Sequence, residues 1–301
     1  MRWRIEHGDA MRLLAELPAD SVDLVLTDPP YSSGGAFRSD RAGKTTAKYS
    51  STGSVAEKLP EFHGDSRTER GLLLWSALWL GEAWRVTKPG GAIAVWCDWR
   101  SLPTVSDAIQ AGGWSWRGIG IWQKPQHRSR PTMGGLWNDT EYILWGSKGP
   151  RNSGECLPGH WLAAAPSAAA RLHTTEKPQI VLEDLVRLAQ KGGIVLDPFA
   201  GSASAGVAAL TSGRDYIGFE LSAEYVAIGR ERLGAVIETR ADVRTDAGSL
   251  FEVALQPDVS IECPTCGAEV DEDDIRSSPV DRDGALYGED VCRECAEGET
   301  P

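Results

Sequence analysis

The chain has 301 residues, of which 41% are hydrophobic and 25% charged, with 33 glycines and a formal net charge of −12. That length suits one large α/β domain with a small appendage, and no apolar run approaches the ~20 residues that cross a bilayer, which excludes a helical membrane protein. The charge does not exclude a nucleic-acid partner, because it is local: residues 238–301 hold 18 acidic and 5 basic side chains, leaving 26 basic and 25 acidic in residues 1–237.

The start, Met1-Arg2-Trp3-Arg4-Ile5-Glu6, lacks a signal-peptide apolar stretch, so a cytoplasmic protein is expected, in host cytoplasm if virally encoded. Residues 3–6 read as a strand. Gly8-Asp9 then leads into an amphipathic helix carrying Met11, Leu13, Leu14 and Leu17, which Pro18 stops. The apolar run Val22 to Leu26 is a second strand, ending in Asp28-Pro29-Pro30-Tyr31. From about 32 to 67 the texture turns to Ser, Gly, Thr and basic residues, with Arg38, Arg41, Lys44 and Lys48, and predicts a mobile basic loop.

Residues 69–87 predict a strongly apolar helix ended by Lys88-Pro89-Gly90-Gly91, followed by a buried strand over 92–97. A helix near 103–111 and strands near 116–122 and 141–145 come next. Trp114, Trp116 and Trp122 are assigned to the core, and Lys124, His127, Arg128 and Arg130 to phosphate or base edges. The stretch 147–172, with Arg151, His160 and Arg171, has no clear period. A helix over about 178–190 leads into the strand Ile194-Val195-Leu196 and the turn Asp197-Pro198-Phe199-Ala200-Gly201-Ser202. A helix, a strand over 215–220 and a helix over 222–237 complete the domain. The alternation predicts a doubly wound, mostly parallel α/β sheet, with a linker over 238–260 and a separate module over 261–301.

In such a sheet ligands bind beyond the carboxyl ends of the strands, so the two carboxylate-proline turns are expected to share one cleft. Gly201, Ser202 and Ala203 form a glycine-rich turn that lets backbone approach a ligand. Glu220 ends the next strand 23 residues after Asp197, where a carboxylate accepts hydrogen bonds from ribose hydroxyls. The full G-x-G-x-x-G of pyrophosphate-binding turns is missing, and Asp197 repels phosphate. A nucleoside carrying positive charge, such as the ammonium and sulfonium of S-adenosylmethionine, is the expected cofactor.

At the other turn, Asp28 and the Pro29 carbonyl can each accept a hydrogen from an exocyclic nucleobase amine, steering its lone pair toward an electrophile. Pro29 and Pro30 hold those acceptors rigid, and Tyr31 offers a face on which a flipped base stacks. With DPPY first, DPFAGS near the end and His173-Thr174-Thr175-Glu176-Lys177-Pro178 before it, the chain resembles the amino-group DNA methyltransferases, in the permuted β group, over about residues 3–237.

The resemblance implies the Rossmann-like fold of S-adenosylmethionine-dependent methyltransferases and double-stranded DNA as partner. It implies that Asp28, Pro29, Pro30 and Tyr31 hold the target base, that Asp197, Phe199, Gly201 and Ser202 line the methionine and adenosine pocket, and that Glu220 takes the ribose. It also puts Asp9 near the cofactor adenine, Lys177 near its methionine carboxylate, and the target-recognition insert at about 147–172. The DPPY form leans toward adenine N6. Cytosine N4, an RNA substrate and a catalytically idle DNA-binding protein are the alternatives. Where the family usually has a second glycine this chain has Ala203.

In the tail, Cys263-x-x-Cys266 and Cys292-x-x-Cys295 read as a four-thiolate structural zinc site. Its acidic surroundings oppose phosphate, so a protein contact or tail stabilisation is its expected role. A homodimer is compatible with the chain, and Cys97 and Cys156 are expected to be structural.

Overall fold

The computed structural model describes residues 1–31, 67–125, 134–152, 154–166 and 176–238, and the backbone of four short strands in the tail. The predicted basic loop, Arg67 apart, therefore lies outside the described residues, as do His127, Arg128, Arg130 and Arg171. Contacts divide the chain into Met1–Asp246 and Ala247–Pro301. In the second unit, Ile261–Glu262 (β9) pairs antiparallel with Glu269–Val270 (β10), and Ile275–Ser277 (β11) with Asp290–Cys292 (β12).

The first unit is built on eight strands: β1 (Trp3–His7), β2 (Val22–Thr27), β3 (Thr87–Cys97), β4 (Ser115–Gln123), β5 (Thr140–Ser147), β6 (His160–Leu162), β7 (Ile194–Asp197) and β8 (Asp215–Glu220). Their order across the sheet is β1-β8-β7-β2-β3-β5-β4-β6. Only β5 runs against its neighbours, so seven strands point the same way. Among the described residues six helices cover the faces: α1 (Ala10–Glu16), α2 (Glu69–Val86), α3 (Leu102–Ala111), α4 (Gln179–Leu185), α5 (Ser204–Thr211) and α6 (Ala223–Glu238). α1 packs on α2 and α2 on α3, while α4 packs on α5 and α5 on α6, which gives a helical layer on each face. Leu24, Val25 and Leu26 in succession are fully buried, as a strand covered on both sides requires.

Four sequence expectations are corrected. β3 begins at Thr87, so Pro89-Gly90-Gly91 lies inside a strand; an irregular register, with Val22 opposite Thr87 and Leu24 opposite Ala92, accommodates it as a bulge. The helix expected over 178–190 ends as an α-helix at Leu185 and tightens into a 3-10 turn over Val186–Leu188. Part of the stretch over 147–172 is sheet: β6 adds an edge strand beside β4, and Trp161 is buried there with its indole N–H donating to Asp184 at 2.8 Å. Of the three tryptophans assigned to the core, Trp114 and Trp122 are buried, whereas Trp116 is 42% exposed because it sits at the irregular start of β4. Cys97 is buried and Cys156 exposed.

Candidate active site

Two turns far apart in sequence become neighbours because β2 pairs with β7, Leu24 opposite Val195 and Val25 opposite Leu196. β8 lies beside β7 and β1 beside β8, so Asp28, Asp197, Glu220 and Asp9 follow the carboxyl ends of four consecutive strands. All eleven residues assigned to catalysis or cofactor binding from sequence line one open cleft. Its void, mouth included, is about 1380 Å³.

Asp197 is buried at the bottom of the cleft. The Thr27 hydroxyl donates to its Oδ1 at 2.6 Å and the Phe199 backbone N–H at 3.1 Å. Burial nevertheless dominates and pushes the carboxyl up to about 7. Glu220 is also raised, chiefly by burial, while its carboxylate accepts the N–H of Gly201 at 2.8 Å and of Ser222 at 2.8 Å. These bonds tie the end of β8 to the glycine turn. Ala203 closes that turn in the left-handed region, φ 60° and ψ 36°, fully buried. The turn thus keeps a conformation that favours glycine, at a cost of roughly 1–2 kcal/mol to the alanine.

Phe199 packs between Trp75 and Trp79 of α2, with ring centroids at 5.3 and 5.2 Å, and Arg67 stands 3.9 Å over the Trp75 ring. Asp9 caps α1, accepting from the N–H of Met11 at 2.9 Å and of Arg12 at 3.3 Å, which turns the chain after β1 into the cleft. On the other flank, Arg232 of α6 donates to the Ser202 carbonyl at 2.8 Å and hydroxyl at 3.0 Å, and pairs with Glu176 at 2.8 Å.

Lys177 lies on the DPPY side. Its ammonium is 2.8 Å from Asp28 Oδ2 and 3.1 Å from Glu141 Oε2, and it is 5.7 Å from the Tyr31 ring centroid and 5.4 Å from that of Trp96. Burial would lower its pKa, but the carboxylates of Asp28 and Glu141 outweigh burial and hold it well above the ordinary lysine value. Glu141 also meets Lys124 at 2.6 Å, and against its burial the two ammonium groups depress its carboxyl. Sequence reasoning missed Trp75, Trp96, Glu141 and Arg232. Glu141 left a faint signal, as an acid opening the apolar strand Tyr142-Ile143-Leu144-Trp145.

Among the described residues no cluster suits a metal ion. Cys263, Cys266 and Cys295 lie outside the described residues, and of Cys292 only the backbone is described.

Comparison with known proteins bears on the same residues. YubD of Escherichia coli K12 is 35% identical over 235 residues, covering 77% of this chain and 91% of its own. Solved structures share the fold: M1.HpyAVI in complex with SAM, with 23% identity, covers 77% of this chain and 98% of its own at a TM-score of 0.54. The cytosine-N4-specific PvuII DNA methyltransferase, with 17% identity, covers 79% and 91% at 0.56. The family model for DNA methylases of the N6/N4 type matches residues 22–231, from the strand before DPPY to helix α6, and the chain belongs to that family of amino-group DNA methyltransferases.

Proposed function

We propose that the protein methylates the N6 amine of an adenine flipped out of double-stranded DNA, with S-adenosylmethionine as donor. The observation that carries the reading is the juxtaposition of Asp28 and Asp197 at the ends of adjacent strands in one cleft.

The cleft fits the donor chemically. Asp197 is a buried and Glu220 a half-buried carboxylate, both raised by desolvation, and a cation with ribose hydroxyls offsets that cost. Phe199, backed by two tryptophans, offers an apolar face for a purine. When bound, S-adenosylmethionine supplies a methyl group on a sulfonium. Asp197 would hold its charged end, Glu220 its ribose, and Asp9, Gly201 and Ser202 the rim around it. Asp28 and the Pro29 carbonyl accept the two amine hydrogens, so the nitrogen lone pair points away from the ring plane and toward the donor side of the cleft. Pro30 stiffens the turn, and Tyr31 stacks on the base. Positioning supplies most of the rate. The DPPY form supports adenine over cytosine.

The test is to incubate the protein with unmethylated DNA and S-adenosylmethionine, digest to nucleosides and identify the product by mass spectrometry. N6-methyladenine is expected; N4-methylcytosine overturns the base assignment, and no methylation on any DNA or RNA favours an idle binder. Asp28→Ala should abolish transfer with cofactor affinity nearly unchanged. For the tail, the paired Cys-x-x-Cys spacing supports one structural zinc on Cys263, Cys266, Cys292 and Cys295. Metal analysis of the full chain should return one zinc, and a metal-free folded tail removes that assignment.

A further inference from the structure

We propose that Glu141 is a positioning residue for the amine-holding turn, acting through Lys177. The inference rests on the reading that Asp28 holds the amine. Four side chains form an alternating chain of charge: Lys124 Nζ to Glu141 Oε1 at 2.6 Å, Glu141 Oε2 to Lys177 Nζ at 3.1 Å, and Lys177 Nζ to Asp28 Oδ2 at 2.8 Å. Lys177 is 5% exposed and Glu141 14%, while Lys124 and Asp28 at the two ends are half-buried, so geometry and charge balance carry most weight at the central pair.

The topology explains the meeting. β5 is the reversed strand, so its first residues lie at the sheet edge where the parallel strands end. Glu141, at the start of β5, thereby reaches Lys177 from behind, while Lys124 follows the end of β4. Asp28, Lys177 and Trp96 line the cleft; Glu141 does not. Glu141 therefore has no contact with a base and acts on one only through its neighbour.

Lys177 touches both groups assigned to the base, pairing with the Asp28 carboxylate and standing over the Tyr31 ring. With Glu141 ionised, two carboxylates balance two ammonium groups. Removing its charge leaves Asp28 as the one carboxylate paired with Lys177 among the described residues. The ammonium then draws on Asp28 undivided, weakening it as an acceptor for the amine, and is free to shift toward it. Toward the cofactor, Glu141 can act only through Lys177, since among the described residues it makes no contact with Asp197, Phe199 or Glu220.

Glu141→Gln keeps the shape and removes the charge. With unmethylated plasmid DNA and radiolabelled S-adenosylmethionine, single-turnover transfer should fall about 10- to 100-fold, as expected for a misplaced reacting group. The dissociation constant for S-adenosylmethionine should stay within about twofold, because the effect is on positioning alone. Lys177→Met should also lower single-turnover transfer, and the double variant should be no slower than Lys177→Met alone. A structural role would instead lower cofactor affinity and rate together. If Glu141→Gln does not fold, Glu141→Asp retracts the charge from Lys177 by one methylene and should give a smaller loss of the same selective kind. Wild-type transfer by Glu141→Gln or Glu141→Asp, or additive losses in the double variant, overturns the inference. Asp28→Ala separates the two levels: if it still transfers methyl, the reading of Asp28 fails as well, and if it is dead while Glu141→Gln is normal, only the role of Glu141 fails.

Discussion

Asp197 gives the most direct quantitative prediction. Its carboxyl sits at about 7 in the fold, against an ordinary value of 3.8, because burial disfavours the charged form. A raised carboxyl means the folded state binds more protons than the unfolded chain above the ordinary value, so its stabilising contribution is present in acid and lost as pH rises through about 7. Between pH 6 and pH 8 the folded group passes from about nine-tenths protonated to about nine-tenths ionised while the unfolded group stays ionised, a loss of about 1.4 kcal/mol to the ligand-free protein. A bound cation needs the ionised form, so the same interval should raise cofactor affinity about tenfold through this group. Asp197→Asn cannot ionise and should lack both effects. Calorimetric titration of S-adenosylmethionine at pH 6, 7 and 8 compares the two proteins; the ligand's own α-amino group titrates near ~8, and subtracting the variant's profile removes it. A difference between the two profiles that stays flat from pH 6 to 8 would refute the reasoning.

Thr27→Val removes the hydroxyl that donates to Asp197 at 2.6 Å. If the bond to the charged form is worth about 1.5–3 kcal/mol, the midpoint of the pH dependence should rise by about one to two pH units and affinity at pH 8 should drop about 2- to 15-fold; an unmoved midpoint would show that the bond does not hold the charged form. Gly206 of α5 has no room for a methyl group, since an added Cβ would stand 2.7 Å from Tyr216 Cε1 and 2.8 Å from Leu233 Cδ2. Gly206→Ala should cost about 1–3 kcal/mol of stability in chemical denaturation, as overpacking does, and an unchanged midpoint would mean that the sheet and α6 yield more easily than their burial implies.

Each motif was legible in sequence because its chemistry is local. A buried strand followed by Asp-Pro-Pro-Tyr or Asp-Pro-Phe-Ala-Gly-Ser announces itself in a few residues, and the strand-helix alternation follows from hydrophobic period and from Gly and Pro stops. Even the two turns' common location follows from the rule that ligands sit at the carboxyl ends of parallel strands. Where the local signal was mixed, the expectation slipped: Lys88-Pro89-Gly90-Gly91 reads as a break, yet a bulge carries β3 through it.

Strand order and strand direction were decided only by tertiary structure, because they arise from pairings between separate segments of the chain, such as Leu24 with Val195. Pairing β2 with β7 sets Asp28 beside Asp197. Reversing β5 delivers Glu141 to Lys177, which also pairs with Asp28. Burial then converts Asp197 from an ordinary acid into one titrating at about 7. The sequence by itself determined which groups could do this chemistry; the sheet determined which of them meet, since desolvation and ion pairing depend on neighbours that the chain brings together only by folding.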